Sequence, residues 1–142
     1  FAQGPEFFST FGGSNLSCAV GAEVLRIVED EQLMTNAQDM GKLLFAGLCK
    51  LQQEHACIGD VRGYGLFVGV DLISDQDSLK PATQIADYVK NRMREERILM
   101  GSEGPDDNVL KIRPPLTISA QDVKHLLHVL GKVLLEVKVL TG

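Results

Sequence analysis

The fold is decided by the stretch IGDVRGYGLFVGVDLI, residues 58–73, where the spacing of the apolar residues changes. Elsewhere the apolar residues recur at helical intervals, whereas here they alternate or run together around a Gly-Tyr-Gly turn at residues 63–65. This combination is typical of an antiparallel hairpin. We therefore predict that residues 58–62 pair with residues 66–73.

Helices surround this hairpin in the sequence. Four segments have apolar residues at helical spacing: residues 16–29, 32–54, 81–96 and 123–137. Pro81 is tolerated in a first helical turn, and Ser119 with Asp122 resembles a capping box before the last helix. Residues 98–100 and 109–113 are predicted to be short strands, separated by a loop. The order predicts an α+β domain in which helices cover one face of a small, mainly antiparallel sheet.

Composition narrows the functional classes. The chain has 142 residues and a net charge of −5, with acidic and basic residues interspersed, so we expect no nucleic-acid partner. Every window of helix length contains charge, so we expect no membrane span. Three cysteines without metal spacing favour reduced thiols and a cytoplasmic location, with a mitochondrial one as the alternative. The abrupt start at Phe1 suggests a segment of a longer chain.

The stretch EFFSTFGGSNLSCAVG, residues 6–21, places a hydroxyl pair and a Gly-Gly turn just before a helical pattern. Such a turn can present hydroxyls and free backbone N–H groups to an anion, most often a phosphate. The alternative is a loop that only caps the helix through Ser14 or Asn15.

Lys111 and Arg113 are two residues apart in a predicted strand, so their side chains share a face. Two cations side by side repel unless an anion lies between or opposite them. A solvated edge strand, protected by its charges, explains the pair in structural terms. The functional alternative is a seat for a carboxylate or phosphate, which arginine contacts bidentately and lysine as a point charge.

The remaining titratable residues give no active site. His125 and His128 share a helical face but have no thiolate or carboxylate at metal-binding spacing, so we expect no metal. His55 lies at a helix end, where a cation favours the helix dipole. Asp60, Asp71 and Glu103 form no recognisable acid pair. We assign no catalytic residue.

Three motifs resemble the class III (ornithine/4-aminobutyrate type) aminotransferases, which use pyridoxal 5'-phosphate. They are TFGG at residues 10–13, VRGYGLFVGVDL at residues 61–72 and NVLKIRPPL at residues 108–116. Their order and spacing resemble the C-terminal part of such an enzyme, of fold type I. The resemblance implies that residues 1–30 leave the large cofactor domain and that residues 31–142 form the small C-terminal domain.

The resemblance also implies residue roles. Thr10 matches the threonine whose hydroxyl reaches the cofactor phosphate of the neighbouring subunit in a homodimer. Lys111 matches the place of an arginine that binds the substrate carboxylate, and Arg113 follows it. A lysine there is similar to the branch of alanine–glyoxylate aminotransferase 2-like proteins and of phospholyases for ethanolamine phosphate or phosphohydroxylysine. The lysine that binds the cofactor covalently lies N-terminal to this segment in the family.

Three functions are therefore open. The first is part of an enzyme that transfers an amino group from an amine or amino acid to a 2-oxo acid, inactive without its upstream lysine. The second is a phospholyase acting on an amino-alkyl phosphate with the same cofactor. The third is an interaction module that has kept the fold without catalysis.

Overall fold

Four helices and five strands make up the described part of the chain, which in the computed structural model is Gly4 and residues 8–141, with side chains described as far as residue 137. In chain order they are α1 Asn15–Asp30, α2 Leu33–Glu54, β1 Ile58–Tyr64, β2 Phe67–Asp75, β3 Lys80–Pro81, α3 Thr83–Glu95, β4 Gly101–Glu103, β5 Val109–Ile112 and α4 Ala120–Thr141. Glu6 and Phe7 of the opening motif lie outside the described residues. The chain divides into two compact units, Phe1–Met34 and Thr35–Gly142.

The first unit consists mainly of a turn and α1. Ser14 occupies the N-cap position of α1, but its hydroxyl makes no capping hydrogen bond. No residue of α1 is buried, and Cys18 is exposed. The apolar residues whose spacing predicts this helix therefore form no buried face in the described chain.

The second unit is built on an antiparallel sheet. The strand order is β1-β2-β5-β4, and the short β3 pairs with the end of β2. The hairpin of β1 and β2 confirms the predicted antiparallel pairing, with Val61 opposite Val70, but Tyr64 pairs with Phe67, so the turn lies at residues 65–66 rather than 63–65. The predicted α+β class is confirmed as well, because every strand pair is antiparallel and helices accompany the sheet.

The core lies between the helices and one face of the sheet. α2, α3 and α4 contribute Leu44 and Leu48, Val89 and Met93, and Leu130 and Leu134, each at most 1% exposed. They join Val70, Leu110 and Ile112 of the sheet in one cluster. Ser119 and Asp122 form the predicted capping box, since the Asp122 N–H donates to the Ser119 hydroxyl (3.2 Å) and the Ser119 N–H donates to the Asp122 carboxylate (3.1 Å).

Two local predictions are wrong. Residues 98–100 are not a strand, because the Ile98 N–H donates to the Met93 carbonyl (2.9 Å) and closes α3, with Arg97 at φ 65°. The strand begins at Gly101 instead, within the predicted loop. Pro81 does not open α3; it pairs with Ile73 in β3, at a sheet edge that tolerates a residue without an N–H.

Candidate functional site

The side of the sheet that faces away from the core carries the candidate substrate residues. Leu110 and Ile112 of β5 are buried under the helices, so Val109 and Lys111, which alternate with them, point the other way. We call this side the outer face. Its neighbouring strands add Asp60 and Arg62 from β1, Gly69 and Asp71 from β2, and Glu103 from β4.

Lys111 forms an ion pair on the outer face with Glu103 of the adjacent strand. The hydrogen bond from the Lys111 ammonium, and then its charge, hold the pKa of the Glu103 carboxyl below its usual value, and the Arg113 charge adds to this. Glu103 is therefore the anion that offsets the two cations. The sequence did not predict Glu103 as a site residue, because its position beside Lys111 depends on the register of β4 and β5, in which Glu103 pairs with Val109.

Arg113 follows the end of β5 and is exposed, immediately before Pro114 and Pro115. It lies one residue beyond the last residue of β5, and its charge acts on Glu103, the ion-pair partner of Lys111. The edge-strand explanation for this pair is wrong, because β5 lies between β2 and β4 in the sheet. Charges on an interior strand do not protect a sheet edge.

A second charged group on the outer face centres on Arg62. Its Nη1 donates to Asp60 Oδ2 (2.8 Å) and to Asp71 Oδ2 (3.1 Å). The amide of buried Asn108 donates to Asp71 Oδ1 (2.6 Å) and to the Leu72 carbonyl (2.8 Å). These bonds fix the start of β5 against β2, and so fix which of its side chains reach the outer face. The sequence signal for this group is the Arg62 and Asp71 pair in one hairpin, whose partners depend on register.

Thr10 lies in the first unit, in a bend before α1, and is exposed. The Gly12 N–H donates to the Ser9 carbonyl (3.3 Å), and Gly13 has φ 77°, which favours glycine. An exposed hydroxyl in a turn of this kind is accessible to an oxygen of a phosphate, which is the chemistry that the phosphate end of pyridoxal 5'-phosphate would need.

The histidines stand apart from these groups. His125 and His128 are exposed on α4, and His55 is buried at the end of α2. Within the described residues, no three His, Cys, Asp or Glu side chains are placed to hold a metal ion. In the same part of the chain, no helix combines the length and apolar character needed to cross a membrane.

The family follows from the comparison with known proteins. The profile of class III aminotransferases matches residues 2–134. The chain belongs to this family of pyridoxal-phosphate enzymes, and its solved neighbours include transaminases of fold type I. The predicted resemblance is confirmed.

The chain is similar to proteins named as aminotransferases and to proteins named as phospholyases. It is 41% identical to an alanine–glyoxylate aminotransferase 2-like protein of Drosophila melanogaster, over 89% of this chain and 26% of the relative. It is 38% identical to ethanolamine-phosphate phospho-lyase homolog 1 of Caenorhabditis elegans, over 90% and 28%. A phospholyase from Arthrobacter, solved with phosphoethanolamine, matches with a TM-score of 0.84 and 40% identity, over 90% of this chain and 30% of that one. The chain thus spans between a quarter and a third of the length of these proteins.

Proposed function

We propose that this chain is the C-terminal part of a pyridoxal-phosphate enzyme that transfers an amino group from an amine or amino acid to a 2-oxo acid. Residues 1–30 would belong to the segment that leaves the large domain, and residues 31–142 to the small domain. The observation that carries the proposal is the place of Lys111: an interior strand of the sheet, facing away from the core, in a chain of this family.

The residues of this segment would bind and orient rather than transfer protons. The Lys111 ammonium would hold the anionic group of the substrate, with Arg113 beside it on the same face. Thr10 would hold the cofactor phosphate of the neighbouring subunit in a homodimer. The cofactor, when bound, supplies the electron sink for the bond changes.

We place the protein in the cytoplasm, with mitochondria as the alternative that cell fractionation would reveal.

A second candidate reaction is the release of phosphate from an amino-alkyl phosphate. It is favoured by lysine rather than arginine at position 111, since a compact ammonium suits a phosphate and lacks the fork that matches a carboxylate. The similarity to proteins named as phospholyases supports the same reading. Here Lys111 and Arg113 would hold the leaving phosphate.

Kinetics of the complete enzyme separate these reactions. With ethanolamine phosphate as substrate, release of free phosphate indicates the lyase, whereas amination of a 2-oxo acid without phosphate release indicates the transaminase. In either case Lys111→Ala should raise the KM for the anionic substrate about tenfold or more, because a charge-assisted hydrogen bond is lost. The matched control is Lys124→Ala, which removes an exposed lysine of α4. An unchanged KM in the Lys111 variant would remove its assigned role.

The isolated chain should have no activity when supplied with the cofactor, because the family's covalent lysine would lie upstream of it. Turnover by the isolated chain would contradict this proposal. A natural product that begins near residue 1 and binds no cofactor would instead favour the interaction module.

A further inference from the structure

The strand register aligns two cations and two glycines in one row across the sheet. Arg62 pairs with Gly69, Gly69 with Lys111, and Lys111 with Gly101. Residues paired in this way point to the same face. Each cation of the row therefore stands next to a position without a side chain. Gly69 forms the floor between Arg62 and Lys111, whose Cα atoms are roughly 10 Å apart from the spacing of neighbouring strands.

The rows on either side of this one differ in character. On one side lies an acidic row: Asp60, Asp71, Val109 and Glu103, paired in that order. On the other side Tyr64 pairs with Phe67, and both are exposed, at 94% and 59%. The acidic residues hold both cations from one side, through the ion pairs to Arg62 and Lys111. A Cβ atom at Gly69 would lie 3.1 Å from Val109 Cγ1 and 4.0 Å from Arg62 Cγ, so the space over this glycine is bounded by Val109 on the side of the acidic row.

The hydrogen bonds that hold the Arg62 guanidinium leave its Nε and Nη2 donors available for two oxygens of a ligand. Both of its hydrogen bonds within the described residues use Nη1, to Asp60 and Asp71. The Nε and Nη2 donors lie on the other edge of the plane, which is the pair that matches two oxygens of an oxyanion. The side chain is 52% exposed. Two carboxylates thus fix the orientation of the group without occupying this edge.

We propose that Arg62 and Lys111 together bind one phosphate group over Gly69. The several oxygens of a phosphate can take the fork of arginine and the point charge of lysine at once, in competition with the Asp60, Asp71 and Glu103 carboxylates that pair with these cations. Binding requires the Lys111 ammonium to turn from Glu103 toward Gly69, so the carboxylate competes with the anion. The site deepens the proposed function, on which it rests for the role of Lys111, by adding Arg62 and making the ligand a phosphate or phosphomonoester.

The test is a titration of the 142-residue chain with inorganic phosphate near pH 7.5, where the dianion is the major form. Proton–nitrogen NMR follows the Arg62 Nε–H signal and the amides of Gly69 and Gly101. We expect saturable shifts at these groups, with ionic strength held constant by chloride. Phosphoethanolamine should give the same shifts, and acetate should bind at least several-fold more weakly.

Variants test whether phosphate binds at the row that contains Arg62 and Lys111. Arg62→Gln should weaken phosphate binding about tenfold or more, while Asp60→Asn should strengthen it by removing a competing carboxylate. The matched control is Arg94→Gln, an exposed arginine of α3, on the helical side of the sheet. Spectra that are otherwise unchanged show that each variant has folded.

The inference and the proposed function can fail separately. An Arg62 Nε–H signal that phosphate does not move, or acetate binding equal to phosphate binding, would overturn the inference even if Lys111→Ala raises KM. Saturable phosphate binding at the row, together with an unchanged KM in the Lys111 variant, would leave the inference standing and remove the role of Lys111 in the enzyme.

Discussion

Gly41 shows how a single residue sets the approach of a helix to the hairpin. A Cβ atom at this position of α2 would come within 2.5 Å of the Gly65 carbonyl oxygen, which is backbone and cannot swing away. Gly65 itself has φ 55° at the turn between β1 and β2. The hairpin turn therefore packs directly on the helix backbone, as glycines in a helix permit.

Gly41→Ala should lower the free energy of unfolding by about 1–3 kcal/mol, because overpacking outweighs the gain in helix propensity of about 1 kcal/mol. Denaturant unfolding measures the change. Gly21→Ala is the matched control, since nothing lies within 4 Å of its added Cβ and it too is in a helix. A variant at Gly41 as stable as the original chain would mean that the turn can move away at little cost.

The candidate site was only partly predictable at this scale. The outward direction of Lys111 follows from the two-residue period of a strand, which requires no tertiary information, whereas Arg113 lies beyond the end of β5 and its shared face stays a prediction. Glu103 and Arg62 could not be assigned, because their partners Lys111 and Asp71 lie on other strands and depend on register. Buried Asn108, which bonds to Asp71 and Leu72 across strands, was missed for the same reason.

Among the elements, α3 and α4 are joined by a polar clamp on the helical side of the sheet. Arg92 of α3 donates from Nε to Glu136 Oε2 (2.8 Å) and from Nη2 to Glu136 Oε1 (3.0 Å). The Tyr88 hydroxyl also donates to Glu136 Oε2 (2.8 Å). These bonds, from Arg92 first, lower the pKa of Glu136 to about 2. The sequence could not reveal this pair, because Arg92 and Glu136 are 44 positions apart and the packing of their helices is not a local property.

Glu136→Gln should lower the melting temperature by a few degrees at pH 7, because the bidentate charged pair is lost. The folded-state pKa of Glu136 lies below its usual value of 4.5, so its stabilisation is present above pH 4.5 and is lost as the pH falls toward about 2. The melting curves of the two proteins should therefore converge over that interval. Glu95→Gln, which removes an exposed partner of the same Arg92, should have a smaller effect. A constant difference between the curves down to pH 2 would contradict the assignment.

The elements themselves were largely predictable, and the exceptions have local causes. The hairpin and the apolar faces of α2 and α4 follow from periodicity that the core satisfies, as at Leu48 and Leu130. The strand at residues 98–100 was predicted from an apolar run, but the last turn of α3 uses the Ile98 N–H, and β4 forms one step later. The apolar character of residues 98–100 could not show that a backbone N–H of this segment would be used in the hydrogen bond that ends α3.

For the whole molecule, the sequence predicts the class of protein better than its assembly. The three motifs identified the class III family, which the profile over residues 2–134 confirms. The two units, Phe1–Met34 and Thr35–Gly142, hold different candidate residues, Thr10 in the first and Lys111 in the second. A function that uses both residues belongs to the proposal above, and this chain spans only 26–30% of the length of its relatives named there.

Thr10 gives a prediction for the assembled enzyme. If its hydroxyl donates to the cofactor phosphate of the neighbouring subunit, Thr10→Ala in the complete homodimer should weaken cofactor retention by roughly tenfold or more, because a hydrogen bond to a charged group is lost. The rate of cofactor loss on dialysis measures this, and gel filtration checks that the dimer persists. Ser9→Ala is the matched control, as it removes the adjacent exposed hydroxyl of the same turn. Equal cofactor retention in the Thr10 and Ser9 variants would mean that Thr10 has no specific role in binding the cofactor. Dissociation of the Thr10 variant into monomers would indicate that the turn contributes to the dimer contact instead.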